Sequence, residues 1–197
     1  MTIRIISIAL AAFMGLQPNS AVHRASHWPL RAVVRVWIDL RDAPPGGDRL
    51  VERATQTWTQ ASDGRLTLQR TLIRTDADIQ VFFNGAGGNY GETLPHVDAA
   101  TGFIDRADVA IAADVPVDPL TKQIIAYLTA LHELGHAIGL EHTANFADIM
   151  YLFRRPEDGP RYFGNYRALL RSADDIGGAA ATGLSPDDVK ALKDLYR

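Results

Sequence analysis

The chain contains no cysteine. A disulfide framework, a thiolate metal site and a cysteine nucleophile are therefore excluded, and any transition-metal site is limited to histidine and carboxylate ligands. No run of lysine or arginine occurs, and the net charge is −3. Neither feature draws the chain toward nucleic acid or an anionic membrane surface. Beyond residue 16 no apolar run approaches the length of a membrane span. Internal repeats and low-complexity linkers are also lacking. What remains is 197 residues of 47% apolar content, enough for one domain with its own core, expected as a monomer.

The N-terminus is distinctive. Arg4 precedes an apolar stretch from Ile5 to Leu16, followed by Pro18, Asn19, Ser20 and Ala21. This order reads as a secretory signal peptide over residues 1–21, which leaves a domain of residues 22–197 outside the cell. The apolar stretch is too short to span a bilayer comfortably. A buried N-terminal element and a retained membrane tether are the competing readings.

Residues 32–40 (AVVRVWIDL) alternate and are β-branched, as a strand requires. The breaker APPGG follows, and residues 48–63 show helical spacing at Leu50, Ala54, Thr57, Trp58 and Ala61, ended by Gly64. Residues 66–73 and 78–83 are strand candidates. Residues 84–90 (NGAGGNY) are glycine-rich but lack a phosphate-binding pattern, so a surface loop is expected. Residues 92–97 contain Pro95, which confines that strand to a sheet edge, and residues 107–112 form another strand. The strongest helix covers residues 121–138. A short helix is expected over 166–172 and a final one over 186–196, capped by Ser185. Strands with one early helix, then helices, give an α+β fold.

The decisive segment is HELGHAIGLEH, from His132 to His142. On a helix, positions i and i+4 share a face, so His132 and His136 aim at one point. Glu133 lies about 100° further around. It stands beside the ion, where it can take a proton from a water that the metal activates. Gly139 accepts positive φ without steric cost, ends the helix and turns the chain so that His142 returns to the same centre. Three neutral histidines leave a fourth position open, the catalytic pattern for Zn2+. A bare HExxH arises by chance in roughly one chain of this length per few hundred, and the added glycine and histidine make coincidence far rarer.

The segment fits HExxHxxGxxH and resembles the metzincin metallopeptidases. Residues 147–151 (ADIMY) place Met150 where that family carries a methionine turn beneath the metal. Met150 followed by Tyr151, and His142 followed by Thr143, are most similar to the matrixins. Lower-specificity similarity covers roughly residues 30–197. The resemblance implies a twisted, mixed five-stranded sheet above the active-site helix. It implies one catalytic zinc on His132, His136 and His142, Glu133 as general base, and Gly139 and Met150 as structural support. It also implies a peptide or protein substrate lying extended along the edge strand near Gly91–Val97, with the segment after Met150 as pocket wall. The alternative is a metal-containing module on the same fold that binds without cutting. Animal matrixins often carry a cysteine-bearing propeptide, so any latency here works otherwise. A second zinc and calcium loops are not recognisable, and the stretch 152–183 exceeds its usual length.

Other residues have plainer readings. His96 on the edge strand reads as a solvated histidine, and His23 and His27 have no assigned role. Tyr151 and Tyr162 are in reach of an oxyanion role, but packing is the better reading. Asp174, Asp175, Asp187 and Asp188 lack calcium-loop spacing, and helix capping accounts for the last pair.

Overall fold

Strand β1 (Val33–Ile38) buries Val34, Val36 and Ile38 and turns Val33 and Arg35 to solvent. The same alternation recurs in β3 (Ile79–Phe83), which buries Ile79, Val81 and Phe83, and in β5 (Ile104–Ile111). This one-sided pattern makes a sheet with a single packed face. The computed structural model describes residues 26–83, 89–113 and 115–197. The expected leader and most of the glycine-rich stretch lie outside these residues.

The five strands run in the order β2-β1-β3-β5-β4, with β2 at Thr67–Arg70 and β4 at Gly91–Val97. All neighbours are parallel except β4, which pairs antiparallel with β5 and forms an edge. Pro95 stands on that edge, opposite Ala107, where its missing N–H costs no ladder bond. The α+β fold with its mixed five-stranded sheet is therefore as the sequence implies.

Helices α1 (Gly47–Ser62) and α2 (Pro119–Ala137) cover the packed face. Asp63 and Gly64, both at positive φ, end α1. Trp58 is buried, and its indole N–H donates to the Leu131 carbonyl at 2.8 Å, which ties α1 to α2. Asp118 caps α2 through the Thr121 N–H, with Pro119 in the first turn. The last carbonyls of α2 also find donors. Trp28 donates its indole N–H to Ala137 O at 2.9 Å, and the Tyr196 hydroxyl donates to Ile138 O at 2.8 Å. Groups that a helix end leaves orphaned are thereby satisfied, and the end that carries the histidines is held from two sides. No helix among the described residues is long and apolar enough to cross a membrane.

One expected element is misplaced. The short helix lies at α3 (Asp158–Arg167), not over 166–172. The Asp158 carboxylate accepts from the N–H groups of Arg154 and Arg155 at 2.8 and 3.1 Å and fixes the chain entering the helix. Phe163 and Tyr166, three apart, bury its inner side. Residues 168–172 continue only as turns, with Leu169 N–H donating to Tyr166 O and Leu170 N–H to Arg167 O. Strand β5 begins at Ile104, three residues before the expected start. The C-terminal helix α4 (Pro186–Leu195) carries the Ser185 cap and a reciprocal Asp188 contact.

Candidate active site

Helix α2 delivers His132 and His136 on one face near its C-terminus, and Gly139 stops it with φ +97°. A Cβ there would overlap the Ser26 carbonyl, so glycine is required by space as well as by conformation. Leu140 N–H then bonds Gly135 O at 2.9 Å, and the chain returns to place His142 beside the first two histidines.

Two of the three rings are oriented by backbone carbonyls. His132 Nδ1 lies 2.6 Å from Ile149 O, and His136 Nδ1 lies 2.8 Å from Leu140 O. A carbonyl only accepts, so both Nδ1 atoms carry the proton and both Nε2 atoms keep a free lone pair. Ligand atoms of His132, His136 and His142 all lie within 4.8 Å of one another, and His136 Nε2 stands 3.1 Å from His142 Nε2. A tetrahedral ion at about 2.0–2.1 Å from each nitrogen requires roughly 3.4 Å between them. The His136–His142 pair is close to that spacing, and three neutral imidazoles are a donor set that suits zinc. Burial pushes His132 down to about 4 and lowers His136 and His142, which favours the neutral, ligating form. Among the described residues no second group of three such side chains converges in this way.

Glu133 is 5% exposed. Its Oε2 accepts from the Thr93 hydroxyl at 2.7 Å, and burial raises its carboxyl to about 7. Beneath the histidines, Met150 is fully buried, and a Cβ at Gly135 would overlap its sulfur. The turn from Thr143 to Met150 is closed by Thr143 N–H donating to Met150 O at 2.8 Å. The buried carboxylate of Asp188 grips the same turn, accepting from Ile149 N–H at 2.9 Å, and ties it to the start of α4 by also accepting from Ser185 N–H at 2.8 Å. Capping alone thus understates Asp188.

The cleft extends on both sides of this centre. One cavity of about 470 Å³ is lined by Thr93, Pro95, Val97, His136 and His142. The other, about 450 Å³, is lined by His132, Tyr90, Tyr151, Phe153 and Phe163, and so by the segment after Met150. Tyr90 meets Phe163 edge to face at 4.9 Å. The Tyr162 hydroxyl donates to Asp148 O at 3.0 Å, and that of Tyr151 to Asp158 Oδ2 at 3.2 Å, so packing and structural bonds account for both. His96 pairs with Asp105 on the exposed strand edge at 2.5 Å. His27 packs against Phe103 and Tyr196.

The contacts of Gly91 and Thr93 with Glu133, of Gly135 with Met150 and of Asp188 with the turn at Ile149 escaped the sequence reading. Gly135 alone carried a signal: an isolated glycine inside a strong helix asks what approaches it closely.

A family model described as Matrixin matches residues 44–162. Among curated proteins, Stromelysin-2 of Rattus norvegicus is 28% identical over 188 residues, covering 91% of this chain and 34% of the relative. Macrophage metalloelastase of the same organism is 28% identical, covering 99% of this chain and 39% of the relative. Matrix metalloproteinase-15 of Homo sapiens is 34% identical over 130 residues, 55% of this chain and 18% of the relative. The chain thus spans between about a fifth and two fifths of the relatives it matches.

Proposed function

This chain belongs to the matrixin family, and from that premise we propose that it is a zinc-dependent endopeptidase. The observation that carries the proposal is the convergence of three imidazoles of His132, His136 and His142, with the Glu133 carboxylate next to them in a cleft open on both sides. Zinc, when bound, supplies a Lewis acid that activates water and polarises the scissile carbonyl. Glu133 takes the proton from the attacking water and returns it to the leaving amine. Substrate lies extended and antiparallel or parallel to the outer edge of β4, bonded through the main chain. The aromatic cavity behind His132 receives the side chain that follows the scissile bond. Gly139 shapes the return of His142, and Met150 supports the floor.

Residues 1–21 act as a leader that directs export, and residues 22–197 form the secreted enzyme. Support comes from the Arg4 start, the apolar stretch that follows and the small residues near Ala21. N-terminal sequencing of exported protein checks this.

Glu133→Gln tests the chemistry. Turnover is expected to fall by about 10² to 10⁴ while zinc stays bound. Full activity in that variant contradicts the assignment. An inactive wild type that holds zinc and binds a peptide uncut would replace it with the binding-module reading.

A further inference from the structure

Gly91 and Thr93 lie two residues apart on β4, so both face the same side of the strand. That side meets α2 at Glu133. The Thr93 hydroxyl stands 2.7 Å from Glu133 Oε2 and 3.0 Å from the Glu133 carbonyl oxygen. It has one proton to give, and both acceptors belong to the same residue. A Cβ at Gly91 would stand 2.6 Å from Glu133 Cγ and Oε1 and 2.7 Å from Thr129 Cγ2. Glycine therefore permits the approach that brings Thr93 within reach. Among the described residues no other side chain bonds the Glu133 carboxylate.

We propose that Thr93 is a positioning residue for the general base, holding one carboxylate oxygen of Glu133 so that the other faces the reacting water. The inference rests on the reading of Glu133 given above. A glutamate side chain has several soft torsions, and a bond from a fixed strand removes most of that freedom. The strand is also the one along which substrate is proposed to lie. One element then aligns both the scissile bond and the group that acts on it. Misplacement of about 1 Å in such an arrangement can cost roughly a hundredfold in rate.

The test uses the full chain as wild type, Thr93→Val, Thr93→Ser, Glu133→Gln and the Val/Gln double variant. Each is assayed on one fluorescence-quenched peptide that the wild type cuts, with bound zinc measured in parallel. Thr93→Val is expected to lower kcat on the order of tenfold, with KM and zinc content unchanged. Thr93→Ser restores the rate. The double variant is no slower than Glu133→Gln alone, because the hydroxyl acts only through that carboxylate. An unchanged kcat in Thr93→Val overturns the inference, as does a loss confined to KM or an additive loss in the double variant. Should Thr93→Val fail to fold, Thr93→Ala set against Thr93→Ser makes the same comparison. A fully active Glu133→Gln removes the base assignment itself. An inactive Glu133→Gln beside an unimpaired Thr93→Val removes only the role of Thr93.

Discussion

The floor of the cleft, residues 132–150, and its wall, residues 151–167, are neighbours in sequence but are held by different forces. In the floor, His132 and His136 are each fixed by a backbone carbonyl, the turn before Met150 is closed by its own main chain, and Asp188 grips the turn from below. In the wall, Phe153 meets Tyr90 and Phe163 edge to face and Tyr162 at a tilt, and one carboxylate, Asp158, gathers the N–H groups of Arg154 and Arg155. Hydrogen bonds to backbone set direction, whereas ring contacts set shape. In the proposed reading, chemistry is accordingly built on the first region and selectivity on the second.

Changes in the floor are expected to be severe and blind to substrate. His136→Ala removes one of the three proposed ligands and should abolish both zinc retention and cleavage of every peptide, read by metal analysis and assay. Gly139→Ala comes next. Its φ of +97° and the crowding by Ser26 should cost about 2 kcal/mol or more, a fall of roughly 4–8 °C in Tm.

Asp188→Asn sharpens the contrast, because its effect depends on pH. Burial raises the Asp188 carboxyl above its ordinary 3.8. Between 3.8 and the raised value the folded state binds more protons than the unfolded one, so this group makes stability fall as pH rises through that window. Asparagine removes that slope but weakens the bonds to Ile149 and Ser185, at a cost of about 2 kcal/mol near neutral pH. Melting curves of both proteins across mildly acidic pH read the difference.

In the wall, Phe153→Ala should leave zinc content unchanged and lower Tm by a few degrees, because the half-buried ring loses its contacts with Tyr90, Tyr162 and Phe163. It should shift the preference between peptides with large and small residues after the cut, on the order of tenfold in the ratio of kcat/KM. Equal loss on all peptides would erase the distinction between the two regions.

The two regions also differ in how readable they were. The ligand set of the floor is written within eleven residues, 132–142, because helical spacing and one glycine turn bring the three histidines together. The sheet was legible for a similar reason, since β1, β3 and most of β5 carry their own alternation. The wall was not. Gly159, Pro160 and Gly164 hide the helical signal of α3, and its buried face is defined by rings from Tyr90 and Phe153. Thr93 and Gly91 read as ordinary strand residues until β4 is laid against α2. Contacts between distant segments leave no local trace in either partner.

The central claim is that this centre cuts peptide bonds with the help of a metal. The direct measurement is digestion of a diverse peptide library by the purified protein, with and without a zinc chelator, with cut sites read by mass spectrometry. The account predicts internal cuts that vanish with chelator and return with zinc. Cuts that persist in chelator, or none from the zinc-loaded protein, would contradict it.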